Sequence, residues 1–133
     1  MKSAGKGTGQ AAAEFALLLP VLLLILLGCI DLGRAFSVWM SLANGSREGA
    51  RYASLFPTDT VEIANRTRAD ILAEGLSASN LRIQVATPLG TGGGSPVIVT
   101  ARYTVSLLTL YIFGGRPMAV RAATQMVIIS GGS

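Results

Sequence analysis

The chain has 133 residues, of which 50% are hydrophobic, and a formal net charge of +4. It contains no histidine and a single cysteine, Cys29, which excludes histidine-based nucleophilic catalysis, histidine-containing metal sites and an intramolecular disulfide. The arginines are scattered, with acidic residues between several of them, and aromatic residues make up only 6% of the chain. We therefore expect no nucleic-acid partner.

The first nine residues, MKSAGKGTG, carry two lysines and no acidic residue. This composition is typical of the positively charged segment that precedes an export helix. The apolar run behind it is longer than the about 7–15 residues of a signal peptide, and no Ala-x-Ala-like cleavage site follows. We therefore expect residues 1–9 to form a leader and the helix itself to stay in the protein.

Residues 10–30 predict a transmembrane helix. No residue from Phe15 to Ile30 is charged, and the segment reaches the about 20 residues needed to cross a hydrocarbon layer of about 30 Å. Its single carboxylate, Glu14, costs insertion energy, so it is a candidate functional residue. Pro20 removes one backbone hydrogen bond and predicts a kink, which membrane helices tolerate.

Charged and aromatic residues follow where this helix leaves the hydrocarbon. Asp31 and Arg34 are three positions apart, so they can pair on one helix face. Trp39, with Phe36 about one turn earlier, is typical of an aromatic anchor at a membrane interface. Lysines on one side of the span and arginines on the other leave the orientation undecided by charge.

The helical pattern continues to about Ser54, ahead of Pro57. Gly45, Gly49 and Ala53 recur every four residues and form a stripe of small side chains. Such a stripe lets a second backbone approach closely, either the chain's own sheet or a neighbouring helix. Gly45 is also a candidate break, because glycine costs about 1 kcal/mol relative to alanine within a helix.

The remaining residues, 56–133, predict a small α+β domain. Asp59 is a candidate N-cap for a helix over 60–74, and Gly75 suits its C-terminal stop. Apolar and polar residues then alternate with period two in three segments: 81–85, 97–105 and 120–128. This alternation predicts an antiparallel sheet of about three strands packed on helix. The glycine-rich segment 87–96 predicts a hairpin connection.

The segment LLTLYIF, residues 107–113, is more apolar than a half-buried strand requires. Two interpretations remain open. It fills the core between strands, or it presents an apolar patch to a partner subunit.

These residues carry a resemblance. The first part of the chain resembles the N-terminus of a type IV prepilin. It has a lysine-containing leader that ends in Gly9, then Glu14 five residues later, followed by an aromatic residue and an apolar helix. With GQAAAEFALLLPVLLL, GCIDLGRAF and SREGARYA, the chain is similar to the TadE-like family. Those proteins are minor pilins or pseudopilins of the bacterial tight-adherence (Tad) pilus. The similarity covers residues 9–53, and the remainder agrees only in general layout.

The resemblance implies cleavage by a prepilin peptidase between Gly9 and Gln10, which makes Glu14 the fifth residue of the mature chain. In such pilins this glutamate pairs with the α-amine of a neighbouring subunit, and Phe15 accompanies it in assembly. Pro20 then adds flexibility during insertion into a filament. A simpler alternative keeps Glu14 as an interfacial acid that complements the helix dipole.

The same resemblance implies a pilin-like organisation: leader 1–9, transmembrane helix 10–30, helix extension 31–55 and extracytoplasmic domain 56–133. It places the chain in the bacterial inner membrane, N-terminus cytoplasmic, and in a pilus after assembly. Four residues are candidate subunit-interface positions: Asp31, Arg34, Gly45 and Gly49.

The function expected on this basis is non-enzymatic pilus assembly. The partners are the prepilin peptidase, other pilin subunits, the Tad machinery and membrane lipid, with no cofactor or metal. The alternative is a single-span membrane protein whose small domain binds an envelope partner or ligand. An enzyme is disfavoured, since the acidic pairs of the 60–74 helix lack an accompanying nucleophile and base.

Overall fold

The computed structural model describes residues 6–129, and the burial of side chains from residue 9 onward. Residues 1–5 of the predicted leader, Lys2 among them, lie outside the described residues. The last part of that leader is the start of the first helix, α1, which spans Lys6–Leu55. α1 is long and apolar enough to cross a membrane.

α1 is unbroken for 50 residues. It passes through Pro20 and through Gly45, so the candidate break at Gly45 does not occur. Its two halves differ in their surroundings. Every residue from Gly9 to Leu26 is exposed, whereas the second half has one buried face and one exposed face.

The second helix, α2, spans Thr60–Ala73 and confirms the helix predicted over 60–74. The side chain of Asp59 caps its N-terminus by accepting a hydrogen bond from the Glu62 backbone N–H at 3.1 Å. The chain leaves the helix at Gly75, whose φ of +86° favours glycine. One face of α2, carrying Ile63, Thr67 and Ile71, is buried.

Three antiparallel strands form one sheet in the order β1-β2-β3. They span Leu81–Ala86, Pro96–Val105 and Met118–Val127. A short 3₁₀ turn precedes β1, and the glycine-rich segment connects β1 to β2 as predicted. The structure is thus of the α+β class, with a long apolar helix, a short helix and a three-stranded antiparallel sheet.

The core lies between one face of this sheet and the two long helices. Two clusters of buried apolar residues fill it. The cluster nearer the membrane segment contains Leu42, Ala43, Ile71, Leu81, Ala101 and Ala122. The distal cluster contains Ala50, Ala53, Ile63, Val97, Val99 and Ile128. Because the alternating strand residues point into this layer, the period-two pattern of the sequence is confirmed, most strongly in β2.

The apolar segment 107–113 does not fill this core. Leu108–Ile112 form a short helix, α3, between β2 and β3. Tyr111, Ile112 and Phe113 are 84%, 59% and 69% exposed. The core-filling interpretation is therefore wrong. The chain turns out of α3 through Gly114, whose φ is +68°.

Candidate functional site

The predicted processing and assembly residues lie on the exposed first turns of α1. The side-chain amide of Gln10 donates a hydrogen bond to the Glu14 carboxylate over 3.2 Å. The two side chains therefore share one helix face. Phe15, the next residue, is 59% exposed. A side chain added at Gly9 would have nothing within 4 Å. Residues 9–15 of this helix are therefore exposed within the described part of the chain.

The apolar surface of α1 has no covering within the described part of the chain. From Gly9 to Leu26 every residue is exposed, although most are large and hydrophobic. Leu27 and Gly28 are the first to be partly buried. Exposing this apolar surface to water along about 25 Å of helix is unfavourable in free energy, so the surface requires lipid or other helices around it. Pro20 lies within this exposed apolar part of α1.

Asp31 marks the point where α1 meets the folded domain. Its side chain is only 3% exposed and accepts three hydrogen bonds from the start of α3. Oδ1 accepts from the Leu108 backbone N–H at 2.9 Å. Oδ2 accepts from the backbone N–H and the hydroxyl of Thr109, at 2.7 and 2.6 Å. A carboxylate with two oxygens suits this arrangement, since it caps the helix N-terminus and accepts from a hydroxyl at once.

Asp31 lies beyond the apolar segment 10–30, and its pKa is lowered from its ordinary value. The hydroxyl of Thr109 is the main cause, because it stabilises the charged carboxylate. Burial opposes this effect, while the backbone N–H groups of Thr109 and Leu108 and the charge of Arg34 reinforce it. The donors around Asp31 therefore favour the charged form of its carboxyl group.

Arg34 does not form the close ion pair with Asp31 that the sequence suggested. Among the side chains described, residues 9–129, the ion pair within 4 Å joins Arg66 to Glu62, at 3.0 Å. Backbone and hydroxyl donors of α3 bond to the oxygens of Asp31 instead. Arg34 instead lines an open groove of about 300 Å³, with Glu74 and Tyr103 among its other walls.

The aromatic pair predicted as an interface anchor is formed. The rings of Phe36 and Trp39 stack with their centroids 5.8 Å apart. Both side chains remain exposed, at 60% and 44%. They continue the exposed apolar surface of α1 past Asp31.

Gly45 and Gly49 are buried inside the chain, where they face α2. A Cβ at Gly45 would overlap the Ile71 side chain and lie 3.1 Å from the Thr67 carbonyl oxygen. A Cβ at Gly49 would overlap the Thr67 hydroxyl. The small-residue stripe thus serves close packing of α1 on α2, an intramolecular use that the sequence had left open.

One feature of the sheet could not be found by reading the sequence. Arg82 pairs with Arg102 across β1 and β2, and Arg102 pairs with Arg121 across β2 and β3. The three arginines therefore form a row across the exposed face. Directly opposite residues in antiparallel strands have Cβ atoms about 4.5–5.5 Å apart. Alternation alone placed each arginine on the polar face, but only the strand register brings them side by side.

The row has no acidic residue in the sheet to balance it. The seven acidic residues of the sequence end at Glu74, so β1, β2 and β3 carry arginine only. Acidic groups lie on the helical layer and basic groups dominate the sheet. No group of Cys, Asp and Glu within the described residues is arranged to hold a metal ion.

Comparison with known proteins finds a family model that is similar to the N-terminal helix. Residues 9–51 match the model of the family described as TadE-like protein. This confirms the resemblance seen in the sequence, and the match begins at Gly9 and ends within α1. No curated protein and no solved structure gives a significant match. The family suggests a Tad pilus-related protein, and α1 is a candidate membrane anchor.

Proposed function

We propose that this protein is a non-enzymatic minor pilin or pseudopilin that takes part in assembly of a Tad-type pilus. A prepilin peptidase cleaves it between Gly9 and Gln10, and α1 then inserts among the helices of other subunits. The observation that carries the proposal is the TadE-like match over residues 9–51, which starts at the proposed cleavage site.

The exposed apolar half of α1 supports membrane residence before assembly. Residues 10–30 give a helix about 30 Å long at about 1.5 Å per residue, which equals the thickness of the hydrocarbon layer. A bundle of identical or related helices would cover the same surface once the subunit leaves the lipid. On this proposal the chain resides in the bacterial inner membrane, with its small domain extracytoplasmic.

Glu14 pairs with a neighbouring subunit during assembly on this proposal. Within the described residues its carboxylate accepts a hydrogen bond from the Gln10 side chain, and a carboxylate has about four acceptor positions. A carboxylate in hydrocarbon is costly unless it is paired. Cleavage after Gly9 creates an ammonium group on Gln10, and the same group on a neighbouring subunit provides the countercharge for Glu14.

Processing is tested by co-expressing the full chain with an active prepilin peptidase and determining the N-terminal residue and mass. The proposal expects a mature chain that begins at Gln10. Gly9→Val should block the cleavage. Gly33→Val is the matched control, because Gly33 also lies on α1 with open space around it. A wild-type chain that keeps Met1 beside an active peptidase would overturn the processing step.

Assembly is tested with Glu14→Gln, which removes the charge at nearly constant size. Membrane insertion should persist, while incorporation into pili or co-purification with partner subunits should be lost. Glu48→Gln is the control, since Glu48 is an exposed acid of the same helix outside the apolar segment. Normal assembly of Glu14→Gln would reduce Glu14 to an interfacial acid and favour the alternative of a membrane-anchored binding domain.

A further inference from the structure

The short helix α3 and the turn after it carry an exposed apolar patch. We define the α3 patch as Leu108, Tyr111, Ile112 and Phe113, which are 43%, 84%, 59% and 69% exposed. Two of the four side chains are aromatic. Grouped apolar side chains of this size on a small domain mark a contact surface.

The position of the α3 patch is fixed by Asp31. Three hydrogen bonds of 2.6–2.9 Å hold Leu108 and Thr109 against that residue. Asp31 directly follows the apolar segment 10–30, and Leu27 and Gly28, one turn earlier, are already partly buried. α3 therefore sits at the level where α1 leaves the hydrocarbon, and its apolar surface continues that of α1.

The chemistry of the surroundings suits a lipid headgroup region. Tyrosine and other amphipathic aromatic side chains are enriched at membrane–water interfaces. Arg116 follows the α3 patch and Arg34 lies one turn beyond Asp31, and both are exposed. The sequence has no acidic residue after Glu74, and Glu74 itself lines the groove that Arg34 borders.

We propose that the α3 patch is a second membrane contact, in which Tyr111, Ile112 and Phe113 enter the boundary between headgroups and acyl chains beside the exit of α1. This rests on the proposed insertion of residues 10–30. The domain is then attached to the membrane at two points, which fixes its tilt and rotation relative to the bilayer. Arg34 and Arg116 contact the phosphates of the same leaflet.

The test measures the depth of single tryptophan reporters in vesicles whose phospholipid acyl chains are brominated near the headgroup. The full chain is reconstituted in a Trp39→Phe background, which removes the native tryptophan. In that background Phe113→Trp should emit at shorter wavelength than an exposed tryptophan and should be quenched at least two-fold by the brominated lipid.

Leu89→Trp is the matched control. Leu89 is 75% exposed and lies in the β1–β2 connection. That connection reaches the far end of the domain, where Gly94 bonds to Ile128 and Ile129 bonds to Ser54. Ser54 is about 35 Å along α1 from Asp31 at about 1.5 Å per residue. Leu89→Trp should therefore be unquenched.

A third reporter separates failure of this proposal from failure of membrane insertion. Leu24→Trp lies in the middle of the apolar segment and should be quenched most strongly by lipids brominated deep in the chain. If Leu24→Trp is quenched while Phe113→Trp behaves like Leu89→Trp, the α3 contact alone is overturned. If Leu24→Trp is also unquenched, insertion and the α3 contact both fail.

A second copy of the chain is the competing occupant of the α3 patch. Contact with a second copy would shift the emission of Phe113→Trp to shorter wavelength, but the brominated lipid would not quench it. The size of this shift would depend on the protein-to-lipid ratio. That result would overturn the lipid contact. Quenching that stays constant on dilution of the protein into excess lipid supports it.

Discussion

Asp31 and Thr109 are separated by 78 positions in the sequence and are joined by two hydrogen bonds, of 2.7 and 2.6 Å, to the same carboxylate oxygen. The pair connects the end of the apolar helix segment to α3. Because the carboxylate is almost completely buried, the connection is shielded from competing water. This relationship decides where α3 sits along α1.

Asp31→Asn is expected to loosen α3 while the rest of the domain stays folded. An amide offers one oxygen and places an NH₂ donor where the carboxylate accepted hydrogen bonds, so at least one donor of α3 loses its partner. Hydrogen exchange of the full chain in detergent should be faster at residues 108–113. Thr109→Val removes only the hydroxyl bond and should have a smaller effect. Unchanged exchange in Asp31→Asn would contradict this role.

The lowered pKa of Asp31 predicts a pH dependence with a definite sign. Since the folded-state pKa lies below the unfolded value of about 3.9, the stabilisation is fully present above that value and is lost as the pH falls through the folded pKa. The difference in melting temperature between wild type and Asp31→Asn should be constant from about pH 5 to 8 and shrink below about pH 4. A difference that grew on acidification would contradict the sign.

Gly49→Ala is expected to destabilise the domain by forcing α1 away from α2. The added Cβ would overlap the Thr67 hydroxyl, which also donates to the Ile63 carbonyl at 2.8 Å. Overpacking costs about 1–3 kcal/mol, and the higher helix propensity of alanine offsets about 1 kcal/mol of this. We therefore expect a net loss of stability of up to about 2 kcal/mol. Urea unfolding of the full chain in detergent measures it.

Two variants control the Gly49→Ala experiment. Gly33→Ala lies on the same helix in open space and should be neutral or stabilising. Thr67→Ala removes the overlapping hydroxyl, so the double variant should lose less stability than the two single changes added together. Additive losses would show that Thr67 does not limit the approach of the helices.

The arginine row predicts a stability that rises with salt. Arg102 has an arginine directly opposite on both sides, and like charges in that position destabilise a sheet by about 0.2–1 kcal/mol. Arg102→Gln should therefore stabilise the domain at low salt, and the gain should vanish near 1 M salt, where the screening length is about 3 Å.

Arg68→Gln is the matched control for the arginine row. Arg68 is exposed on α2, between the acidic residues Glu62 and Asp70, so its neutralisation should give no gain at low salt. An Arg102→Gln variant with no salt-dependent gain would mean that the three guanidinium groups are spread too far apart in solution to interact.

The elements of the domain that could be predicted have local signals. The Asp59 cap and the Gly75 stop bound α2 by chemistry within a few residues, and alternation located the three strands. The segment 107–113 could not be assigned from the sequence, since its hydrophobicity suits both a core filler and an exposed apolar patch. Its partner, Asp31, lies too far away in sequence to provide a local signal.

The sequence by itself determined the class of the protein: an uninterrupted apolar segment with one carboxylate near its start, followed by a small α+β domain. Those properties depend on composition and short-range periodicity. Only the tertiary structure decided that Gly45 and Gly49 face α2, that three arginines stand side by side, and that Asp31 holds α3 at the end of the apolar segment. Each of these contacts joins residues that are far apart in the sequence and that only the folded backbone brings close together. The local sequence around each residue does not indicate its distant partner.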